Sequence, residues 1–338
     1  ACSPEMNAAA LARLTRAMNG CLDAPLTKRR AAVENNTLTF HPDVFVGEYL
    51  PVTVPDGSDR FWVGTYADGG FLSDRGYMIA DVRAKDWFHD NIYRDFPFDL
   101  QKAHEVKGTV QIEVPERRAV ILPLGGTAPL QELIVQTPSH DDQLAYLGKW
   151  SYSHLRLCET TTLICEDDAP FAVGAPILLG HSPARKKLVL NILLDALPWE
   201  VMGASFANDM PHTAHFFTCG TTFHQHFSVH EYTYPSLATI ETGMYLQHTG
   251  IFSEWQAIEL REEIITIAER ARSAGYATSN LVGDAIGIYN GVTRGYDRLV
   301  VTPYCTFAHD GTERTIRCLE GCGDADHFIF LHLNDIHP

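Results

Sequence analysis

The sequence predicts an α/β protein in which a β-rich segment precedes an open sheet with helices on both faces. Three observations carry this reading. Between residues 37 and 182, short β-type runs are broken every few residues by Gly, Pro and Asp. After residue 186, apolar runs alternate with helical patterns. Two of those runs, Leu188–Leu194 and His327–Leu333, are almost continuously apolar, as strands buried on both faces of a parallel sheet must be. A length of 338 residues suits two domains. The break is expected at the polar, basic stretch His181-Ser-Pro-Ala-Arg-Lys-Lys187, giving segments 1–185 and 186–338.

The elements follow in order. Residues 4–34 begin with Pro4 and carry Ala and Leu at three- and four-residue spacing, which predicts a helix. Strands are then expected at Val44-Phe-Val, Arg60-Phe-Trp-Val-Gly-Thr-Tyr, Gly108-Thr-Val-Gln-Ile-Glu-Val and Arg118-Ala-Val-Ile-Leu. Further ones are expected at Leu133-Ile-Val, across 155–165 and at Pro176-Ile-Leu-Leu, together forming a sandwich-like β segment. In the second segment, residues 210–220 read as a helix and 220–227 as a strand. Residues 236–242 read as a helix stopped by Gly243, and 254–273 as a long amphipathic helix stopped by Gly275. A strand at 276–282 follows.

The charge of -16 disfavours partners that present phosphate-rich surfaces, such as nucleic acid or an anionic membrane. It leaves room for a local anion site at a helix N-terminus or a bound cation. No apolar run is long enough to span a membrane. Eight cysteines are too sparse for a disulfide framework and read as free thiols. The aromatic residues Trp62, Tyr66, Trp87, Trp150 and Tyr152 suit either a core or a sugar-stacking surface.

In open α/β sheets, ligands collect at the carboxyl ends of strands. Two such ends carry ionisable groups: Asp195 after Leu188–Leu194, and Asp335 with His337 after His327–Leu333. Thr233 stands just ahead of Pro235, at the expected start of a helix. Its hydroxyl would lie among free N–H groups at the positive end of the helix dipole, where a tetrahedral oxyanion binds well. A divalent cation on Asp195 would lower the hydroxyl's pKa. That set suits phosphoryl or sulfuryl transfer through a covalent Thr ester. His230 and Glu231 precede Thr233 and are candidates for substrate or leaving-group contact. His224-Gln-His226, on a strand, would point both rings to one face.

Five blocks in sequence order resemble the sulfatase family of the alkaline phosphatase superfamily. They are Asn191-Ile-Leu-Leu-Asp195, Met210-Pro-His-Thr-Ala-His-Phe-Phe, Thr233-Tyr-Pro-Ser-Leu-Ala-Thr-Ile-Glu-Thr-Gly-Met-Tyr245, Ala274-Gly-Tyr-Ala-Thr278 and Phe330-Leu-His-Leu-Asn-Asp-Ile-His-Pro338. The resemblance covers about 187–338 and implies the N-terminal part of an alkaline-phosphatase-like α/β domain. It implies that Asp195 is the first metal-binding acid, with Asp335 a second. Thr233 would be the nucleophile, and His337 would contact the anion or protonate the leaving group. His332 and His230 would contact substrate. The implied cofactor is a divalent ion: Ca, Mg, Mn or Zn.

Where sulfatases carry Cys or Ser and a following Arg, this chain has Thr233 and Leu237, which resembles the Thr-nucleophile phosphotransferases of the superfamily. The usual acid pair is here Asp195 followed by Ala196. The family's further Asp-His metal pair comes after the His-Pro block. The resemblance therefore implies that those ligands come from another chain or a removed segment, or that the site has been lost. The expected activity is metal-dependent phosphoryl transfer or hydrolysis on a glycan or glycan-linked phosphodiester. A sulfatase acting on a sulfated sugar and a non-catalytic glycan-binding or scaffold protein are the alternatives.

Overall fold

The computed structural model describes the backbone of residues 31–34, 37–40 and 60–63, and residues 98–334 except 127, 129, 149–151, 168, 204, 254–259, 262, 283–293 and 302–306. Its strands begin with β1 (Ala31–Glu34), β2 (Thr37–Phe40), β3 (Arg60–Val63), β4 (Phe98–Val106), β5 (Thr109–Ile112) and β6 (Val120–Gly126). Next come β7 (Gln131–Thr137), β8 (His140–Leu147), β9 (Tyr152–Leu157), β10 (Thr161–Ile164), β11 (Phe171–Gly174), β12 (Ile177–Leu178) and β13 (Leu188–Leu194). A short helical region follows, with a 3-10 turn (Trp199–Met202), α1 (Phe206–Asp209), α2 (Pro211–Phe217), α3 (Thr233–Thr242), α4 (Leu246–Thr249) and α5 (Ile267–Ser273). The last elements are β14 (Ala277–Val282), β15 (Arg298–Val301), α6 (Phe307–Gly321) and β16 (His327–Leu333).

Two larger sheets organise these strands. The smaller has the order β5-β10-β7-β8 and is wholly antiparallel. The larger runs β12-β6-β11-β4-β15-β14-β16-β13, with β3 paired to β4 and β9 to β6. Its β15, β14, β16 and β13 are parallel neighbours, whereas β4 joins β15 antiparallel. The sheet is therefore mixed rather than parallel throughout, and it takes strands from both sides of residue 185. β7 and β8 are joined by a short hairpin, which permits their antiparallel pairing, while α6 lies between the parallel-sheet strands β15 and β16.

The β-rich sheets share one core. Leu122, Leu124, Leu133, Leu163 and Phe171, from β6, β7, β10 and β11, are almost fully enclosed. At roughly 25 cal/mol per Å² of apolar surface, burying each such side chain contributes about 2 kcal/mol. A second cluster, Leu281, Val300, Ile329, Leu331 and Leu333, ties the parallel strands together. All seven residues of β16 are buried. That strand has a neighbour on each edge, β14 and β13, which places it inside the sheet.

Several expectations change. Residues 31–34 form a strand paired with β2 rather than the end of a helix, and 4–30 lie outside the described residues, as does Val44-Phe-Val. The run at 155–165 is two strands, broken at Cys158-Glu-Thr160. Residues 220–227 make turns and exposed coil instead of a strand, so His224 and His226 share no strand face. Thr221, Thr222 and Phe223 offered β-propensity there, but they pair with no strand among the described residues. Of the helix expected over 254–273, residues 254–259 and 262 lie outside the described residues, 260, 261 and 263–266 are irregular, and Ile267–Ser273 is helical. Thr266 stops it from starting earlier: its side chain accepts from the Glu269 N–H, and Glu269 accepts the Thr266 N–H in return. Finally, β13 is parallel as expected but ends the sheet path, and Leu188, Leu190 and Ile192 are exposed at 40%, 38% and 56%.

Candidate active site

Strand β13 delivers Asp195 one residue past its end. Leu193 of β13 is in register with His332 of β16, and the Asp195 N–H donates to the Leu333 carbonyl at 2.9 Å. Paired residues of a parallel ladder point to the same face, and a strand repeats every two residues. Asp195 and His332 therefore start from the same side of the sheet. Their side chains meet, with His332 Nε2 2.9 Å from Asp195 Oδ2. The histidine side chain is wholly buried and the carboxylate 16% exposed.

Helix α3 brings the third group. Its N-cap, Tyr232, is extended and supplies no capping side chain. Thr233 is the first helical residue, and its hydroxyl donates to the same Asp195 Oδ2 at 2.9 Å. Tyr234, Leu237, Ala238 and Glu241 are buried and seat the helix, while Gly243 ends it in the left-handed conformation (φ 70°). The other carboxylate oxygen, Oδ1, accepts the N–H of Ala196 at 2.8 Å. Ala196 itself is a non-glycine residue at φ 58°, a conformation that costs of order 1–3 kcal/mol and is held here by its neighbours. The turn after β13 is thus bent to fix the acid.

Oδ2 thus lies within hydrogen-bond distance of both the Thr233 hydroxyl and His332 Nε2. His332 turns its Nε2 to the carboxylate. Its Nδ1 is buried and has no hydrogen-bond partner among the described residues.

The expected site residues divide into three groups. Asp195, Thr233 and His332 are brought together. His230 sits in the turn ahead of α3, where its Nδ1 accepts the Tyr232 N–H at 3.1 Å and its ring lies 5.2 Å from the Tyr232 ring. Its carbonyl accepts from Ser228 and Ser236, and no bond joins it to Asp195. Asp335 and His337 lie outside the described residues. The direct Asp195–His332 contact was the relationship that sequence reading left open. The matching parity of Leu193 and His332 in a parallel pair was the signal that could have found it.

A carboxylate, a hydroxyl and an imidazole converging on one point form a mixed oxygen and nitrogen donor set, of the kind that zinc or another divalent ion accepts. Among the described residues, no group of three or more His, Cys, Asp or Glu side chains is placed to hold an ion. Asp195 and the Thr233 oxygen are the donors such an ion would meet, with His332 Nε2 turned to Asp195 Oδ2.

Residues 189–282 match the family described as type I phosphodiesterase / nucleotide pyrophosphatase. That stretch contains both Asp195 and Thr233, and the family is a member of the alkaline phosphatase superfamily. The superfamily is the one expected from the sequence blocks, and the matching branch is the phosphodiesterase one. No curated protein matches the chain. The coarse activity that this match supports is phosphoryl hydrolysis or transfer.

Proposed function

We propose that the chain cleaves a phosphodiester or pyrophosphate through a covalent ester on Thr233. The observation that carries this reading is the 2.9 Å hydrogen bond from the Thr233 hydroxyl to Asp195, at the start of α3 and within the family-matched stretch. The Thr233 oxygen attacks phosphorus, forming an O–P bond, and its proton passes to Asp195 Oδ2. The bond to the leaving group breaks with its electron pair, and water or an acceptor alcohol then releases the phosphoryl group. The first-turn N–H groups of α3 and its dipole stabilise the equatorial oxygens as charge develops. His332 holds the carboxylate in line. Families of this superfamily generally use zinc or magnesium, which would supply Lewis-acid activation of the hydroxyl. Asp195 and Thr233 would hold the ion, with Asp335 and His337 as further candidates.

The substrate class is a small molecule or glycan bearing a phosphodiester; a nucleotide pyrophosphate enters from the description of the matched family. The test uses the full chain with bis(p-nitrophenyl) phosphate, a nucleoside p-nitrophenyl phosphodiester and p-nitrophenyl sulfate. Each is assayed with zinc, magnesium, manganese or calcium, and with EDTA. Phosphodiester turnover lost in Thr233→Ala supports the proposal. Turnover that survives this substitution overturns the nucleophile. Faster cleavage of the sulfate ester would favour a sulfatase, and no turnover of any ester would favour a glycan-binding or scaffold role.

A further inference from the structure

The helix that carries Thr233 has an ionisable residue at its opposite end. Glu241 is 1% exposed and Tyr296 0%, and the Tyr296 hydroxyl donates to Glu241 Oε1 at 2.7 Å. The second oxygen, Oε2, is buried without a hydrogen-bond partner among the described residues. A carboxylate with a single donor in such a place would be costly, whereas a neutral acid is tolerable. Burial holds the Glu241 carboxyl up at about 8, with the Tyr296 hydrogen bond opposing the rise. Neither side chain has a part in the chemistry proposed above.

Tyr296 is the fixed partner. Its neighbour Gly295 lies at φ +90°, and a Cβ there would fall 2.1 Å from the backbone nitrogen of Glu269 in α5. Only glycine lets this loop press so closely on the helix. The Gly295 carbonyl accepts from the Thr278 hydroxyl at 2.7 Å, and the Asp297 N–H donates to that hydroxyl at 3.0 Å. The Arg294 carbonyl accepts from Thr266 at 2.8 Å. The loop is therefore pinned to β14 and α5 on both sides of Tyr296. In contrast, the N-terminus of α3 has no capping side chain of its own.

We propose that Glu241 and Tyr296 form a positioning pair that sets where α3 presents Thr233 against Asp195. The proposal rests on the phosphoryl-transfer reading for its consequence in turnover, but not for the pairing itself. Other ionisable groups on the elements around the pair are His248 on α4, Glu269, Arg270 and Arg272 on α5, Arg294 and Asp297 beside Tyr296, and His327 and His332 on β16. Glu269 is engaged by Thr266 and Arg294, and Arg272 by Asp297 at 3.0 Å. Tyr296 is the one hydrogen-bond partner of Glu241 among the described residues. Among the described residues no cation is bonded to Glu241, so a carboxylate formed there gains water through a shift of α3.

Two measurements on the full chain test this. The first is the pH dependence of kcat and KM on bis(p-nitrophenyl) phosphate for the wild type, Glu241→Gln and Tyr296→Phe. In the wild type, kcat falls about tenfold per pH unit above 8 with KM unchanged. Glu241→Gln keeps an acceptor for Tyr296 and loses that alkaline limb, while Tyr296→Phe lowers kcat at every pH. The second is amide hydrogen exchange of residues 236–242, divided by the intrinsic rate at each pH. Wild-type protection drops above pH 8, and that of Glu241→Gln does not. An unchanged alkaline limb in Glu241→Gln, or flat wild-type protection from pH 6 to 9.5, overturns the proposal. If no ester is turned over by the wild type, the phosphoryl-transfer reading fails, and exchange still decides the pair. If Glu241→Gln does not fold, the wild-type exchange profile and Tyr296→Phe decide it.

Discussion

Thr233 and Asp195 are 38 residues apart in sequence, yet the hydroxyl of one donates to the carboxylate of the other at 2.9 Å. The contact joins the acid that follows β13 to the first turn of α3, so strand and helix must be correctly placed before it can form. If this hydroxyl is the nucleophile, Thr233→Ala lowers kcat on a phosphodiester by at least about a thousandfold. Thr233→Ser keeps the oxygen and retains measurable turnover. Intact-mass analysis after rapid acid quench should find a phosphorylated wild-type chain and an unmodified Thr233→Ala one.

His332 Nε2 lies 2.9 Å from the oxygen that also receives Thr233. Replacing it with Ala leaves that carboxylate with one donor fewer and a cavity behind it. The expected loss is about ten- to a hundredfold in kcat, as for partners that orient a reacting group. His332→Gln restores an N–H at similar reach and recovers part of the rate. Equal loss in both variants would mean that the imidazole does more than hold Asp195.

Burial of Glu241 has a consequence for stability that does not depend on catalysis. The native carboxyl ionises at about 8, well above an ordinary carboxylate near 4.5. Between these values the native state holds a proton that the unfolded chain has released. Stability therefore declines as pH rises from 4.5 to 8, by up to about 1.4 kcal/mol per pH unit, and levels off above 8. Urea titrations across this range should give that slope for the wild type and a flatter one for Glu241→Gln.

Much of the fold and part of the site were legible from residue patterns. A continuous apolar run marked β16 because a strand inside a parallel sheet has no polar face, whereas the equally apolar β13 lies at the end of the sheet path with one side exposed. Gly243 marked the end of α3 because the left-handed cap at φ 70° excludes most side chains. Asp195 and Thr233 were legible as strand-end and helix-start residues. The mixed character of the sheet was not, since β4 joins β15 through a pairing between residues some 200 positions apart, which no local pattern records. The Thr266–Glu269 capping box was visible as Thr-x-x-Glu, but the apolar periodicity before it favoured a longer helix. The Glu241–Tyr296 pair is a tertiary contact, and a lone Glu in an apolar helix carries no sign of what it will meet.

A last prediction concerns Asp326, which fastens the start of β16 to the segment ahead of β13. Its side chain is fully buried. It receives the Ser182 N–H at 3.0 Å, lies 2.9 Å from His181 Nδ1 and is paired with Arg185 Nε at 2.7 Å. Burial pushes its carboxyl up, but the Ser182, His181 and Arg185 interactions outweigh this and hold it below 3.8. A depressed native value means that the stabilisation is present above the unfolded pKa and is lost as pH falls through the native one. Asp326→Asn removes the charge and leaves Arg185 without its ion-pair partner, at an expected cost of about 3 kcal/mol at pH 7. The difference between wild type and variant should shrink as pH is lowered from 5 towards 3, when the wild-type carboxyl is itself protonated. A gap that stays constant over that range would mean that shape, rather than charge, is what Asp326 contributes.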